Sequence, residues 1–242
     1  MKKVYLLLAL LVLLTTTIGG AACLSPTENR DVLFQVSMLS DLSEGYYDGD
    51  ITYKELEQHG DFGLGTFDGL DGEMIALEGD FYQIKADGKA YPVKSSMETP
   101  FAVVTFFESD QAVSLDEISD YEQLKHCLDR VLPNDEIFYA IKIEGVFENI
   151  KARSVFAQSK PYPSLDEALK GQTVFEFHDV SGTLVGFWCP DYVDGINATG
   201  YHLHFITGDR EAGGHMLDCK IKSAQAEIDY TSEFYMVLSE SE

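Results

Sequence analysis

Basic residues are scarce in this chain of 242 residues. Lysine and arginine together number 17 against 41 aspartates and glutamates, so the formal net charge is −24 at pH 7. A surface this negative repels nucleic acid and anionic lipid headgroups, and it repels an anionic small molecule at long range. The composition therefore argues against nucleic acid as a partner, and any anionic substrate has to be held by local cationic groups.

Cysteines are also few, and internal repeats, low-complexity tracts and phosphate-binding glycine loops are absent from the sequence. Cys23 follows an apolar N-terminal segment, whereas Cys127, Cys189 and Cys219 are widely spaced and form no CxxC pair. Three such cysteines make no disulfide framework, although one bridge stays open as an alternative. We expect small buried side chains at these positions.

The N-terminal 22 residues resemble an export signal. Lys2 and Lys3 precede an apolar run over residues 4–18, and the small residues at 19–22 lead to Cys23. This ending resembles a bacterial lipobox, in which the cysteine is lipidated and becomes the new N-terminus. The alternative is an uncleaved membrane anchor, since the segment nearly reaches spanning length. Both interpretations place the remainder outside the cytoplasm.

The rest of the chain predicts a short polar tether over residues 23–30 and a folded unit over residues 31–242. Within that unit, residues 31–40 and the apolar run at 101–107 predict strands. Apolar residues at helical spacing predict a helix over residues 115–132.

Three of the six histidines fall within residues 200–219, GYHLHFITGDREAGGHMLDC. The first half predicts a strand, on which His202 and His204 project from the same face. Residues 207–214 hold three glycines and predict a turn that brings His215 opposite this pair. Three neutral imidazoles that leave a fourth position open are typical of catalytic zinc sites. The alternative is a set of ordinary surface or core histidines.

Two charged residues stand in strand-like surroundings. Glu73 lies between Gly72 and an apolar run at 74–77, where a carboxylate is either a surface residue at a strand end or a site group. Arg153 is either a solvated strand residue or the guanidinium that an anionic substrate needs, because guanidinium grips carboxylate bidentately.

Four motifs in order are similar to the alpha-acetolactate decarboxylase family. They are GxGTFDxLDGE at residues 63–73, TPFxxxTFF at 99–107, FYAIxIxGxF at 138–147, and GYHLHFI…GGHxLD at 200–218. The resemblance covers essentially all of residues 33–218. It implies an enzyme that decarboxylates 2-acetolactate to acetoin and CO2 and releases the R enantiomer.

The resemblance also implies the site residues. Family members hold one divalent metal, normally zinc, on three histidines, which match His202, His204 and His215 here. The family's fold implies an α+β protein with two β-rich mixed α/β lobes, the metal site on a strand hairpin of the C-terminal lobe, and a homodimer. We expect the boundary between the lobes within residues 155–172.

Further residues match the family's pocket. Glu73 is expected at the metal site and in catalysis, Thr66 at the substrate, and Arg153 at the substrate and in catalysis. In the family a further carboxylate comes from the C-terminal segment. The tail of this chain is shorter than usual, so Glu240 and Glu242 are both candidates for that catalytic group.

Two other functions fit parts of the sequence. A cupin-like metal enzyme also uses His-x-His on a strand, but it expects a glutamate three or four residues later, and the nearest here is Glu211. A non-catalytic zinc-binding lipoprotein fits the leader and the histidines, but it needs neither Arg153 nor the glycine-rich residues 63–73. A decayed enzyme that lost its tail carboxylate while keeping the metal is a third alternative.

Overall fold

The computed structural model describes residues 30–238. The predicted leader, the predicted lipidation site at Cys23 and the tail carboxylates Glu240 and Glu242 all lie outside the described residues. Within residues 30–238, no helix combines the length and apolar composition that crossing a membrane requires.

Strands dominate the structure, and the four α-helices are short. In chain order the elements are β1 (Val32–Val36), α1 (Leu39–Glu44), β2 (Ile51–Thr52), α2 (Tyr53–Leu56), β3 (Phe62–Thr66), β4 (Glu73–Leu77), β5 (Asp80–Ile84), β6 (Ala90–Pro92), β7 (Glu98–Thr99), β8 (Ala102–Thr105), β9 (Gln111–Ile118), α3 (Tyr121–Asp129), β10 (Phe138–Ser154), α4 (Leu165–Leu169), β11 (Thr173–Cys189), β12 (Gly200–Thr207), β13 (Gly213–Thr231) and β14 (Glu233–Val237). Single 3-10 turns lie at Asp68–Leu70 and Asp191–Val193. The β-rich part of the predicted fold is confirmed.

Two main sheets carry the architecture. The first has seven strands in the order β14-β1-β8-β3-β4-β5-β6, and the second has five in the order β10-β11-β12-β13-β9. Strand β10 also pairs with β13, so the second sheet curls until β10, β11, β12 and β13 form a closed ring of paired strands. Strands β2 and β7 make a separate two-stranded pair.

The chain enters the second sheet between β8 and β9 and returns to the first at β14, which lies parallel to β1. Residues 155–172, where the sequence predicts a lobe boundary, connect β10 and β11, two neighbouring strands of the second sheet. The division of the folded unit into two lobes stays a prediction.

Three apolar clusters hold these layers. One lies between the two sheets and includes Leu64, Ile75 and Phe187. A second fills the closed part of the second sheet under α3, and the third packs α2 against the outer face of the first sheet. The functional side chains described below lie where strands of the first sheet meet β10, β12 and β13.

The helix predicted over residues 115–132 is correct only over Tyr121–Asp129. Residues 111–118 form β9, which pairs with β13, and the helix begins only after Asp120, whose carboxylate accepts the Gln123 N–H. Leu115 and Ile118 are three residues apart and both buried, which resembles a helical pattern. Glu117 has a φ of 55°, which breaks the strand alternation and explains this spacing.

The strand predicted over residues 31–40 is correct only in its first part. Strand β1 ends at Val36, Ser37 adopts a φ of 59°, and α1 begins at Leu39. This change of direction matters for the site because α1 contributes to its wall.

A buried carboxylate at the end of β13 predicts pH-dependent stability. Asp229 is 1% exposed, and its Oδ2 accepts the Glu108 N–H at 3.1 Å. Burial raises the pKa of Asp229 to about 7, with Asp110 and Asp31 adding to the rise. This folded-state pKa exceeds the unfolded value, so stability falls as pH rises from about 4 to 7, by at most about 4 kcal/mol.

We therefore expect the free energy of unfolding of Asp229→Asn to exceed that of the wild type by about 1–3 kcal/mol at pH 8. At pH 4 the two free energies of unfolding should be equal. The amide oxygen can still accept the Glu108 N–H, whereas the buried charge is removed. Urea denaturation at both pH values measures the difference. Asp116→Asn, at an exposed carboxylate of β9, is the control and should change little at either pH. Equal stabilities of Asp229→Asn and wild type at pH 8 would contradict the expectation.

Candidate metal centre and active site

The three candidate ligands come from one hairpin. His202 and His204 lie two residues apart on β12, and His204 pairs directly with His215 on β13. Gly213 makes this approach of β13 to β12 feasible, because a Cβ there would lie 2.2 Å from the Phe205 carbonyl oxygen. Gly214, with a φ of 151°, does the same for the approach of β13 to β10, since a Cβ there would lie 2.5 Å from the Arg153 carbonyl oxygen. The strand period and the glycine turn thus place three imidazoles on one surface.

The ring nitrogens converge on one point. His215 Nδ1 lies 3.3 Å from His202 Nε2 and 3.3 Å from His204 Nε2, and all three ligand atoms lie within 4.8 Å of one another. Two nitrogens bound tetrahedrally to zinc at about 2.0–2.1 Å are themselves about 3.3–3.4 Å apart. The histidines therefore fit a tetrahedral divalent metal with little rearrangement.

Their protonation also suits a metal. Met74 O lies 2.9 Å from His204 Nδ1, and because a carbonyl only accepts, this nitrogen carries the proton and leaves the Nε2 lone pair free. Burial lowers the pKa of His202 to about 4 and the pKa values of His204 and His215 well below their usual range, and the Arg153 guanidinium contributes to each. All three imidazoles are thus neutral at pH 7, the form that binds metals.

A buried ion pair stands beside the histidines. Arg153 Nη1 donates to Glu73 Oε1 at 2.7 Å, and Glu73 Oε2 lies 3.5 Å from His204 Nε2. The side chains are only 14% and 8% exposed. Burial raises the pKa of Glu73, and the guanidinium opposes that rise. The two residues are 80 apart in sequence and come from β4 of the first sheet and β10 of the second.

The segment before Glu73 is tightly built. Gly72 has a φ of 90°, and a Cβ there would lie 2.3 Å from the Ile84 carbonyl oxygen. Thr66 pairs with Glu73 across β3 and β4, and its hydroxyl donates to the Gly72 carbonyl at 2.7 Å. A threonine hydroxyl has a single proton, so Thr66 can offer a ligand only its remaining acceptor capacity.

These residues line a cavity of about 260 Å3 between the sheets and the helices α1 and α4. Its polar side comprises the three histidines, Glu73, Arg153 and Thr66. Its apolar side comprises large side chains from α1, α4 and neighbouring segments, namely Leu39, Leu42, Leu70, Phe101, Val155 and Leu165. The cavity can thus hold a small molecule with one anionic end and short alkyl groups.

The structure brings together every described residue that the sequence analysis predicts for the site. Glu240 and Glu242 lie outside the described residues, so their predicted role is not tested. Sequence reasoning missed the apolar wall formed by α1, since residues 31–40 were predicted as a strand. It also missed Met74, whose contribution comes from a backbone carbonyl and leaves no signal in the residue type.

Another histidine and the three described cysteines lie outside the site. His178 is exposed, and its Nδ1 lies 3.1 Å from Asn149 Nδ2. Cys127, Cys189 and Cys219 are all free thiols, and the last two are buried. Among residues 30–238, the three hairpin histidines form the only cluster of histidine, cysteine and acidic side chains with metal-binding spacing.

Comparison with known proteins gives a consistent result. The sequence model of the family described as alpha-acetolactate decarboxylase matches residues 33–242. The chain is 53% identical over 211 residues to alpha-acetolactate decarboxylase of Methanosarcina mazei, which covers 87% of this chain and 73% of that protein. It is 50% identical over 213 residues to the Methylococcus capsulatus enzyme of the same name, covering 88% and 82%. The crystal structure of alpha-acetolactate decarboxylase from Bacillus subtilis strain 168 superposes with a TM-score of 0.85 at 40% identity, covering 87% of this chain and 90% of that one.

Proposed function

Because the chain belongs to the alpha-acetolactate decarboxylase family and is thus a carboxy-lyase, we propose that it converts (S)-2-acetolactate to (R)-acetoin and CO2 with a divalent metal, normally zinc, on His202, His204 and His215. The observation that carries the metal dependence is the 3.3 Å spacing of the neutral imidazole nitrogens inside the cavity. A divalent cation held by these three histidines would supply Lewis-acid chemistry for the oxygens of the substrate.

The substrate is a β-keto acid with a neighbouring hydroxyl. Breaking the bond to the carboxylate releases CO2 and leaves the electron pair on an enediolate, so the barrier depends on stabilising negative charge. A proton then adds to one face of the enediolate carbon and gives acetoin. The protein has to orient the carboxylate, accept the developing charge and deliver that proton.

Arg153 is the residue we assign to the substrate carboxylate. It is the cation of the cavity lining, and the net charge of the protein makes such a local cation necessary for an anionic substrate. The pairing with Glu73 fixes the guanidinium at one place, which lowers the entropic cost of aligning the scissile bond.

Glu73 is the described carboxyl group nearest the histidines, and its raised pKa favours the protonated form more than in water. We assign it either to steering protons or to completing the metal site. Enantioselective protonation of the enediolate requires an acid on one face. Glu240 and Glu242 are the tail candidates for that acid. Thr66 is assigned to the border of the substrate site, since it lines the cavity.

The finer biological setting is also part of the proposal. We propose a homodimer, export through the N-terminal leader, and attachment to the membrane only through a lipid at Cys23 or through the leader itself. The sequence of residues 1–23 supports the last two.

Acetoin formation tests the function directly. We expect residues 23–242 to convert racemic acetolactate to one acetoin enantiomer, because protonation of the enediolate on one face fixes the configuration of the product. Dialysis against a chelator should abolish the reaction and zinc should restore it. Chiral gas chromatography of the product, with zinc content measured in parallel, gives both readouts.

Two outcomes would contradict the proposal. Zinc-loaded protein that forms no acetoin would point to a metal carrier or to loss of the tail acid. Acetoin formation that persists after complete removal of the metal would exclude the assigned role of the histidine cluster.

A further inference from the structure

Three buried residues with hydroxyl groups lie together at the C-terminal end of β3. None of them touches the three histidines. Tyr53 is the first residue of α2, Thr99 ends β7, and Thr66 ends β3. Tyr53 and Thr99 are fully buried and Thr66 is 4% exposed. We call these three residues the Thr66 clasp.

Every polar atom of Thr66 is engaged. Its N–H donates to the Phe101 carbonyl at 3.0 Å, and its hydroxyl donates to the Gly72 carbonyl at 2.7 Å. Its carbonyl oxygen accepts the Tyr53 hydroxyl at 3.0 Å and lies 2.7 Å from the Thr99 hydroxyl, whose single proton is shared with the Phe101 carbonyl at 2.9 Å. A buried residue held through all three groups has little freedom to move.

The Thr66 clasp is connected to Glu73, the proposed catalytic carboxylate. Thr66 is the register partner of Glu73, and the carbonyl that its hydroxyl binds belongs to Gly72, the residue immediately before Glu73. The position of the Glu73 carboxylate matters because one oxygen lies 2.7 Å from Arg153 and the other 3.5 Å from His204. A shift of the backbone at residues 72–73 would change both of these distances.

We infer that Tyr53 and Thr99 are positioning residues for Glu73 and act through Thr66; the inference rests on the function proposed above. They contact neither the cavity nor the histidines, so they cannot act on the substrate directly. Tyr53 packs in the apolar cluster on the outer face of the first sheet, and Thr99 lies on the β2–β7 pair. Residues outside the cavity would thus contribute to the reaction.

Tyr53→Phe removes one oxygen and keeps the ring that packs on Phe67 at 4.9 Å. We expect its kcat to fall about 10-fold with KM changed less than twofold, since misplacement of a catalytic group affects the chemical step. Thr99→Val should behave likewise, and Thr99→Ser should recover most of the rate because it keeps the donor. Steady-state kinetics with zinc-loaded protein measure the split between kcat and KM.

Tyr139→Phe is the matched control. Tyr139 is also fully buried, and its hydroxyl donates to a backbone carbonyl, that of Asn134, at 3.0 Å, but it lies in the closed part of the second sheet. It should lose a similar amount of thermal stability and keep the wild-type kcat.

A double-mutant cycle separates positioning from general loosening. If Tyr53 acts through Glu73, adding Tyr53→Phe to Glu73→Gln should lower the residual rate no further. Crystals of Thr99→Val should show the Glu73 Oε1–Arg153 Nη1 distance lengthened beyond its 2.7 Å.

Wild-type kcat in both Tyr53→Phe and Thr99→Val would overturn the inference, as would an unchanged Glu73–Arg153 distance in the Thr99→Val crystals. An equal loss from Tyr53→Phe with and without Glu73→Gln would do the same. Absence of acetoin formation by the wild type in this assay would instead contradict the proposed function, and the crystallographic distance would still test the clasp.

Discussion

Arg153→Ala is expected to lower kcat/KM for acetolactate decarboxylation by about 10^2–10^3 while the protein keeps its zinc. The substitution removes the cation that we propose for the substrate carboxylate. It also leaves Glu73 as an unpaired buried carboxylate 3.5 Å from His204, so the pKa of Glu73 should rise further and the protein should lose about 3 kcal/mol of stability. Kinetics, zinc analysis and urea denaturation measure the three effects.

Glu73→Gln tests the other partner of the pair. We expect a similar loss of turnover with retained zinc, because the amide can accept the Arg153 hydrogen bond but cannot take part in proton transfer. Arg153→Lys should recover little of the activity that Arg153→Ala loses, since a lysine offers a point charge in place of the planar guanidinium group.

Arg210→Ala is the control for these variants. Arg210 also forms an ion pair between the two sheets, with Glu78 at 3.6 Å, but it does not line the cavity. It should leave kcat and KM unchanged. Full activity of Arg153→Ala or of Glu73→Gln would remove that residue from the mechanism.

His204→Ala is expected to abolish both zinc binding and decarboxylation, with the rate falling to the uncatalysed background. His204 is the most constrained ligand, 1% exposed and fixed by Met74 O at 2.9 Å, with its Nε2 3.3 Å from His215 Nδ1. Two remaining imidazoles hold zinc much more weakly than three. Atomic absorption on dialysed protein and chiral analysis of the product give the two readouts.

His178→Ala provides the comparison for that loss. His178 is exposed on β11 and outside the cavity, so its removal should leave zinc content and turnover unchanged. One equivalent of zinc in dialysed His204→Ala would contradict the assignment of the hairpin as the metal centre.

The sequence determined the local features of the protein. The period of a strand places His202 and His204 on one face, and the glycine turn brings His215 opposite them, so the cluster follows from residues within one hairpin. The motifs at residues 63–73 and 200–218 also identified the family, which comparison confirmed.

Only the tertiary structure decided the relations between distant segments. Three features of the site join residues that are far apart in sequence, and their local patterns do not show which residues meet. These features are the 2.7 Å pair of Glu73 and Arg153, the Thr66 clasp, and the cavity wall from α1 and α4. The same reason explains the error at residues 115–118, where pairing of β9 with β13 overrides an apolar spacing that resembles a helix. Local periodicity records which face of an element is buried, whereas the partner that buries it is set by packing of the whole chain.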